Sequence, residues 1–145
     1  MINREPIYAA LFGLVEVAAD FTVVDRRLRH WSDVAPAEQP ALFMAQKSEL
    51  ASIPKLGAPT VWTLSVDLYV YVHSSDPYLA PAMVLNPLID AVEAALAPSA
   101  VTGLQDLGLP AMVQHACIRG KVETDEGVLG DQAVAVVPLE VLCVG

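Results

Sequence analysis

The sequence predicts an α+β fold: a mostly antiparallel β-sheet with two main α-helices packed on one face. Residues 61–73 alternate strictly between apolar and polar or aromatic side chains, which is typical of a strand with one covered face. Two stretches carry apolar residues at helical spacing, and two β-rich stretches near the C-terminus predict a hairpin. The order helix, strands, helix, strands fits an α+β architecture. The 145 residues predict a single domain spanning 1–145.

The N-terminal part predicts one helix followed by two short strands. Pro6 suits the first turn of a helix, and the apolar residues after it recur at helical spacing, so we expect a helix that ends near Asp20. Residues 21–31 predict a strand, and their charges place it at a sheet edge or at a contact surface. Residues 41–47 predict a short strand, and the prolines and glycine of residues 48–59 predict a turn or loop.

Residues 61–73 form the clearest predicted element, a strand about 40 Å long. One of its faces is apolar and is expected to lie on the core, with Trp62, Leu64, Val66, Leu68, Val70 and Val72. The other face is polar and aromatic, with Thr63, Ser65, Asp67, Tyr69, Tyr71 and His73. We expect this second face to be solvated or to contact another subunit, because an antiparallel sheet tolerates one uncovered face.

The start of the second helix is predicted from an N-cap residue followed by a proline. Asn86 is a suitable N-cap, Pro87 suits the first helical position, and Pro98 ends the apolar stripe that follows. A start nearer Ala82 is the alternative.

Residues 111–123 and 132–144 predict the two strands of the C-terminal hairpin, with an elongated tip at residues 125–131. Pro138 interrupts the second strand. Because proline cannot donate a ladder hydrogen bond, we expect Pro138 at a sheet edge or a bulge.

The composition favours association with other copies of the chain. Hydrophobic residues make up 54% and charged residues 17%, with a mean hydropathy of +0.48. We interpret the excess of apolar residues as a sign of oligomerisation, since permanent interfaces resemble protein cores. The alternative is a single apolar core under a surface with few charges. No membrane span is expected, because the longest stretch without charged residues, residues 77–89, is short and contains three prolines.

The charge balance argues against general binding to nucleic acid. The chain contains eight lysines and arginines and 17 aspartates and glutamates, which gives a net charge of −9. Binding to phosphates requires clustered cations, and the only local cluster is formed by Arg26, Arg27 and Arg29.

No motif assigns catalytic, cofactor-binding or metal-ligating residues. Nucleotide-binding loops and nucleophile motifs are absent, and Cys117 and Cys143 lack metal-ligand spacing. We interpret both cysteines as ordinary buried thiols in a reducing compartment. An enzyme or ligand-binding module that uses the face with Asp67, Tyr69, Tyr71 and His73 is an alternative, which requires a deep pocket. The acidic hairpin tip lacks the pattern of a calcium loop and predicts a solvated turn.

The strongest local signal is the run of basic and aromatic residues after the first predicted strand. It contributes most of a candidate interface with another subunit or partner, made of Arg26, Arg27, Arg29, His30, Trp31, Tyr69 and Tyr71. Arginine and tryptophan are enriched at interface hot spots, and an acidic neighbouring copy would attract the arginines. Contact with DNA phosphates is one alternative, and a charged edge strand paired locally with Asp25 and Asp33 is another.

Five stretches, in order along the chain, resemble the tail-terminator (tail completion, or minor tail) proteins of long-tailed bacteriophages and prophages. They are residues 2–12 (INREPIYAALF), 26–34 (RRLRHWSDV), 39–43 (QPALF), 85–96 (LNPLIDAVEAAL) and 130–136 (GDQAVAV). The resemblance covers most of the chain, and its specificity comes from the number and order of the stretches, because none of them carries chemistry.

The resemblance implies an α+β subunit that forms a six-membered ring on the head-proximal end of the tail tube. Such a ring stops tube polymerisation and presents a docking surface to the head–tail connector. The implied partners are other copies of the chain, the tail-tube protein and the neck proteins, while DNA passes through the lumen without specific binding. The resemblance implies no catalytic residues and no cofactors.

The implied location is the tail and neck of the virion, after assembly in the host bacterial cytoplasm. Another neck component, such as a head-closure or connector protein, is the main alternative, because such proteins are also small, mixed α/β and ring-forming.

Overall fold

The computed structural model describes residues 1–127 and 130–145. Within these residues the chain forms two α-helices, which are α1 (Arg4–Val15) and α2 (Pro81–Ala95). The described strands are β1 (Val23–Asp25), β2 (Ala41–Ser52), β3 (Val61–His73), β4 (Val113–Ile118), β5 (Glu123–Glu126) and β6 (Gln132–Val144). They form one sheet in the order β1-β2-β3-β6-β4, with β5 also paired to β6.

The pairing of β3 with β6 is the centre of the sheet. The two strands are antiparallel and pair residue by residue from Val61 with Val144 to His73 with Gln132. The predicted bounds of both strands are confirmed. On one face their alternate side chains are fully buried, as Leu68 and Val137 illustrate. This register carries the apolar residues of both strands to the same side of the sheet.

The two helices cover that apolar face, so the predicted α+β class is confirmed. Helix α1 buries Ile7, Leu11 and Val15 against the sheet, and α2 buries Leu85 and Val92. Strand pairs are antiparallel throughout the described sheet except for β1 and β2, which are parallel.

The predicted strand over residues 21–31 is wrong beyond Asp25. Strand β1 has only three residues, and Trp31–Asp33 form a 3-10 turn. The side chain of Asp25 accepts a hydrogen bond from the backbone N–H of Arg27, which turns the chain out of the extended conformation. The predicted edge position of β1 is correct, because β1 is an outer strand of the sheet.

Strand β2 is longer than the prediction of residues 41–47. It extends to Ser52, which converts the first part of the predicted loop into a strand. A register shift between Gln46 and Ser48 interrupts the pairing with β3, and the ladder then resumes as far as Ser52 and Val61. Residues 48–52 form a strand because they pair with β3, and the strand propensity of one segment does not reveal such a partner.

Both helices differ from their predicted bounds. Helix α1 ends at Val15 rather than near Asp20. Helix α2 begins at Pro81, near the alternative start, so Asn86 is not its N-cap and Pro87 lies inside the helix. Pro81 occupies the first-turn position that was assigned to Pro87, and proline suits that position because the missing N–H has no helical partner there.

The predicted strand over residues 111–123 is divided into two. Strands β4 and β5 both pair with β6 and are separated at residues 119–122. Pro138 faces this break: its carbonyl accepts a hydrogen bond from Arg119 N–H, and a Cβ on Gly120 would lie 3.1 Å from the proline ring. The prediction that Pro138 interrupts its strand, at an edge or a bulge, is wrong, because Pro138 lies inside the continuous central strand β6. It loses no ladder bond there, since the neighbouring strand is interrupted where the proline N–H is missing.

Part of the predicted hairpin tip at residues 125–131 is strand rather than turn, since β5 extends to Glu126. Residues 128 and 129 of that tip lie outside the described residues. In the described part of the chain, neither helix has the length and apolar character needed to cross a bilayer.

Val66 provides a test of the two faces of β3. Its side chain is 1% exposed in the core, so Val66→Asp buries an unpaired carboxylate and should cost about 4 kcal/mol or more. We expect the variant to be unfolded or insoluble by circular dichroism and urea titration. The matched control is Thr63→Asp on the opposite face, where the cross-strand partner is Leu142 rather than a carboxylate, and this variant should remain folded. Equal stability of the two variants would contradict the assigned faces.

Candidate subunit interface

The sheet face opposite the helices, here called the outer face, is only partly covered by the rest of the chain. Along β3 it carries Val61, Thr63, Ser65, Asp67 and Tyr69, and each keeps part of its surface exposed. The pairing register brings partly exposed residues of β6 alongside them, among them Val136, Glu140 and Leu142. The outer face is therefore a mixed polar and apolar surface spanning several strands.

Residues 26–34, here called the arginine segment, close one end of the outer face. Val34 is buried with Ala41, Phe43 and Tyr71 in a small second core. The rings of Phe43 and Tyr71 lie 5.5 Å apart, and the Tyr71 hydroxyl donates a 2.6 Å hydrogen bond to the carbonyl of Arg29. Burial, followed by the neighbouring Tyr69, raises the pKa of Tyr71 to about 12.

Tyr71 is therefore an internal residue of the subunit. Only 3% of its surface is exposed, although alternation along β3 placed it on the open face with Tyr69. The arginine segment folds over Tyr71, whereas Tyr69 remains partly exposed beside the second core. Of the two tyrosines in the predicted interface, Tyr69 is the one whose surface a partner can reach.

Arg29 holds the arginine segment in place. Its two terminal nitrogens contact the two carboxylate oxygens of Glu38 at 2.8 and 3.1 Å, and one of them also donates to the carbonyl of Asp33 at 2.7 Å. The hydrogen bond from Arg29, and then one from the backbone N–H of Ala35, lower the pKa of Glu38 to about 2. Such a paired, two-bond contact fixes geometry as well as charge.

Arg26 and Arg27 have different environments. Arg26 contacts Glu5 of α1 at 2.6 Å and the side-chain oxygen of Gln46 at 3.1 Å, and its hydrogen bond lowers the pKa of Glu5. Arg27 is exposed and has no ion pair among the described residues. Arg27 is therefore the arginine of this cluster that is available to a partner.

His30 and Trp31 lie side by side on the arginine segment. Their ring centroids are 5.3 Å apart, and the His30 ring accepts a hydrogen bond from the backbone N–H of Ser32. Trp31 packs partly buried against the second core. Trp31 and Tyr69 thus pack against the same small core, while the Arg26 side chain is directed to α1 instead.

The polar residues considered for an enzyme or ligand site do not converge. Asp67 and His73 are six residues apart on β3, which corresponds to about 20 Å, and the buried Tyr71 lies between them. Asp67 and Tyr69 line a groove of about 490 Å³, where Lys47 lies 3.9 Å from Asp67, but Tyr71 and His73 are not part of its lining. No group of three histidine, cysteine or acidic residues in residues 1–127 and 130–145 is arranged to hold a metal ion.

Two further surfaces lie outside this region: a loop that the sequence predicted without assigning it a role, and a groove that the sequence did not predict. Residues 53–60 join β2 to β3 and expose Ile53 and Leu56. An open groove also lies between α2 and β4, lined by residues that are far apart in sequence. The exposed loop has a local signal in its Pro54 and Gly57, whereas the groove exists only in the folded chain.

Acidification tests whether the Arg29–Glu38 pair holds the arginine segment. Because the pKa of Glu38 is lower in the folded chain than its ordinary 4.5, the pair stabilises the fold above pH 4.5 and this stabilisation is lost as the pH falls towards 2. In a Trp62→Phe background, Trp31 fluorescence should report release of the segment over that range. The control Glu38→Gln should lose most of this pH dependence, and an identical curve in both proteins would contradict the role of the pair.

In sequence, no family model matches the chain, and no curated protein matches it either. In structure, it is similar to a chain of the solved particle described as "Virion of native gene transfer agent (GTA) particle". That similarity has a TM-score of 0.58 at 11% sequence identity, and it covers 94% of this chain and 93% of the other. At this identity the two proteins share a fold over nearly their whole lengths.

Proposed function

We propose that this chain is a structural protein of a phage-like virion. The observation that carries the proposal is the shared fold with a chain of the gene transfer agent virion, over 94% and 93% of the two lengths. The ordered resemblance of five stretches to tail-terminator proteins supports it independently. The chain has a binding and architectural role, and the separation of Asp67 from His73 supports a function without a catalytic step.

Within the virion, the proposed role is that of a tail terminator. Copies of the chain form a six-membered ring on the head-proximal end of the tail tube, stop its polymerisation and offer a docking surface to the head–tail connector. The partly exposed outer face supports association, because it keeps apolar residues such as Val136 and Leu142 accessible in the single chain. The apolar composition supports permanent contacts between copies.

The charge distribution supports passage of DNA through such a ring without specific binding. The net charge is −9, and Arg26 and Arg29 are neutralised by carboxylates of the same chain. Acidic groups facing the lumen would repel the phosphate backbone rather than retain it. A cryo-electron microscopy reconstruction with a mainly basic lumen would contradict this part of the proposal.

Assembly and tube capping test the proposed function directly. Native mass spectrometry of the purified chain should give a ring of about 92 kDa, six times the 15.4 kDa subunit. Mixed with the tail-tube protein of the same virion, the ring should bind one end of each tube and limit tube length in negative-stain images. Binding to the portal-side adaptor instead of to tubes would favour a head-closure protein, and a persistent monomer that ignores tube ends would contradict both roles.

Two arginine variants separate folding from assembly. Arg27→Glu should leave the melting temperature unchanged and weaken ring formation or docking, because Arg27 has no ion pair among the described residues. Arg29→Glu should lower the melting temperature by a few degrees, because it places a carboxylate against Glu38 and the Asp33 carbonyl. Calorimetry and sedimentation velocity measure the two effects. Normal rings from Arg27→Glu that also limit tube length as the unmodified chain does would exclude Arg27 from the interface.

A further inference from the structure

A groove of about 770 Å³ lies between the C-terminal half of α2 and the β4 edge of the sheet. Ile89, Leu96 and Ile118 contribute apolar surface to it, and Asp90 and Glu93 add two carboxylates. Neither carboxylate has a cation partner among the described residues. The groove, here called the α2–β4 groove, has the volume of a ligand-sized site and suits an apolar segment that carries a positive charge.

The loop between β2 and β3, residues 53–60, has the complementary character. Leu56 is 98% exposed and Ile53 is 61% exposed, so both apolar side chains point into solvent. Lys55 stands between them in sequence and has no ion pair in the part of the chain that the structure describes. This loop, here called the β2–β3 tip, therefore presents two apolar groups and one free cation.

The β2–β3 tip is an ordered turn. The backbone N–H of Ala58 donates to the carbonyl of Lys55 at 3.1 Å, and Gly57 has a φ of +84°, which suits the third residue of a type II turn. Leu56 occupies the second position, at the apex. A preformed turn loses little conformational freedom when it docks, so more of its contact energy contributes to affinity.

The topology separates the tip from the groove within one chain. Strand β6 lies between β3, which leaves the tip, and β4, which borders the groove, and no tip residue lines the groove, so the two are separate patches of the chain. A contact between two different patches of identical subunits is head-to-tail, and such contacts generate closed rings when the rotation between copies closes. A second copy of this chain is thus the occupant that matches both the chemistry and the placement.

We propose that the β2–β3 tip of one copy docks in the α2–β4 groove of the next, with Ile53 and Leu56 against the apolar surface and Lys55 beside Asp90 and Glu93. This inference rests on the proposed function, because it names a contact that would close the ring.

A native cysteine allows a direct test of this contact. The expectation of two buried thiols is confirmed for Cys143 but is wrong for Cys117, which lines the groove and is partly exposed. Leu56→Cys and Ile53→Cys, made separately, should form a disulfide with Cys117 of the neighbouring copy when the thiols are oxidised with diamide. Non-reducing gels of at least one variant should then show a ladder extending beyond dimers. A bond between two introduced cysteines, or between two Cys117 thiols, gives only dimers when it is the sole bond formed. Peptide mass spectrometry of the ladder should therefore identify the mixed bond from the introduced cysteine to Cys117, which is specific for the head-to-tail contact.

Matched controls exclude random oxidation. Adding Cys117→Ser to the reactive variant should abolish the ladder. Val17→Cys places a thiol at another exposed apolar position, 73% exposed beyond α1, and should give no ladder. A ladder of equal intensity from Val17→Cys would contradict the assigned contact.

Charge reversal tests the same contact without covalent bonds. Lys55→Glu should weaken association about 10-fold or more, and adding Glu93→Lys or Asp90→Lys should restore most of it. This inference would be overturned if the cysteine variants formed rings of normal mass without a ladder and Lys55→Glu associated as strongly as the unmodified chain. The proposed function would then remain intact. A wild-type chain that remains monomeric would contradict the proposed function and this contact together.

Discussion

The uninterrupted pairing of β3 with β6 is the constraint on which the rest of the structure depends. Thirteen consecutive residue pairs place the apolar residues of both strands on one face, and a shift of one residue would turn every one of them to the other side. Strand β2 attaches to β3, strands β4 and β5 attach to β6, and β1 in turn pairs with β2. The buried face determines where α1 and α2 must pack, because their apolar stripes have no other partner.

The helices pack on the apolar face only, so the outer face is covered in another way. At one end, the arginine segment covers Phe43 and Tyr71 and is held there by paired charges from Arg26 and Arg29. Cations that form these internal pairs are not available to a partner, so a chain with few basic residues retains only isolated positive groups such as Arg27 and Lys55. Partly exposed residues along the rest of the face remain for contacts with other chains.

The sequence alone predicted the elements whose pattern is dictated by burial. Strict alternation located β3 residue by residue, because one face of the strand must be apolar along its whole length, and the predicted hairpin gave the bounds of β6. The failures occurred where a distant partner overrides local preference. Residues 26–31 have strand-like composition, but Glu5 and Glu38 draw Arg26 and Arg29 in different directions. Asn86 and Pro87 form a plausible helix start, yet the apolar surface of the sheet extends α2 back to Pro81.

The sequence by itself determined the fold class, the central strands, the apolar face and the negative charge, because each follows from composition or from a short-range period. Only the tertiary structure decided which predicted interface residues a partner can reach. Tyr69 and Tyr71 share one face of one strand, and their exposure differs because a segment forty residues away folds over the second of them. The α2–β4 groove likewise has no counterpart along the chain, since its lining combines a helix with a strand that meet only when the sheet is complete.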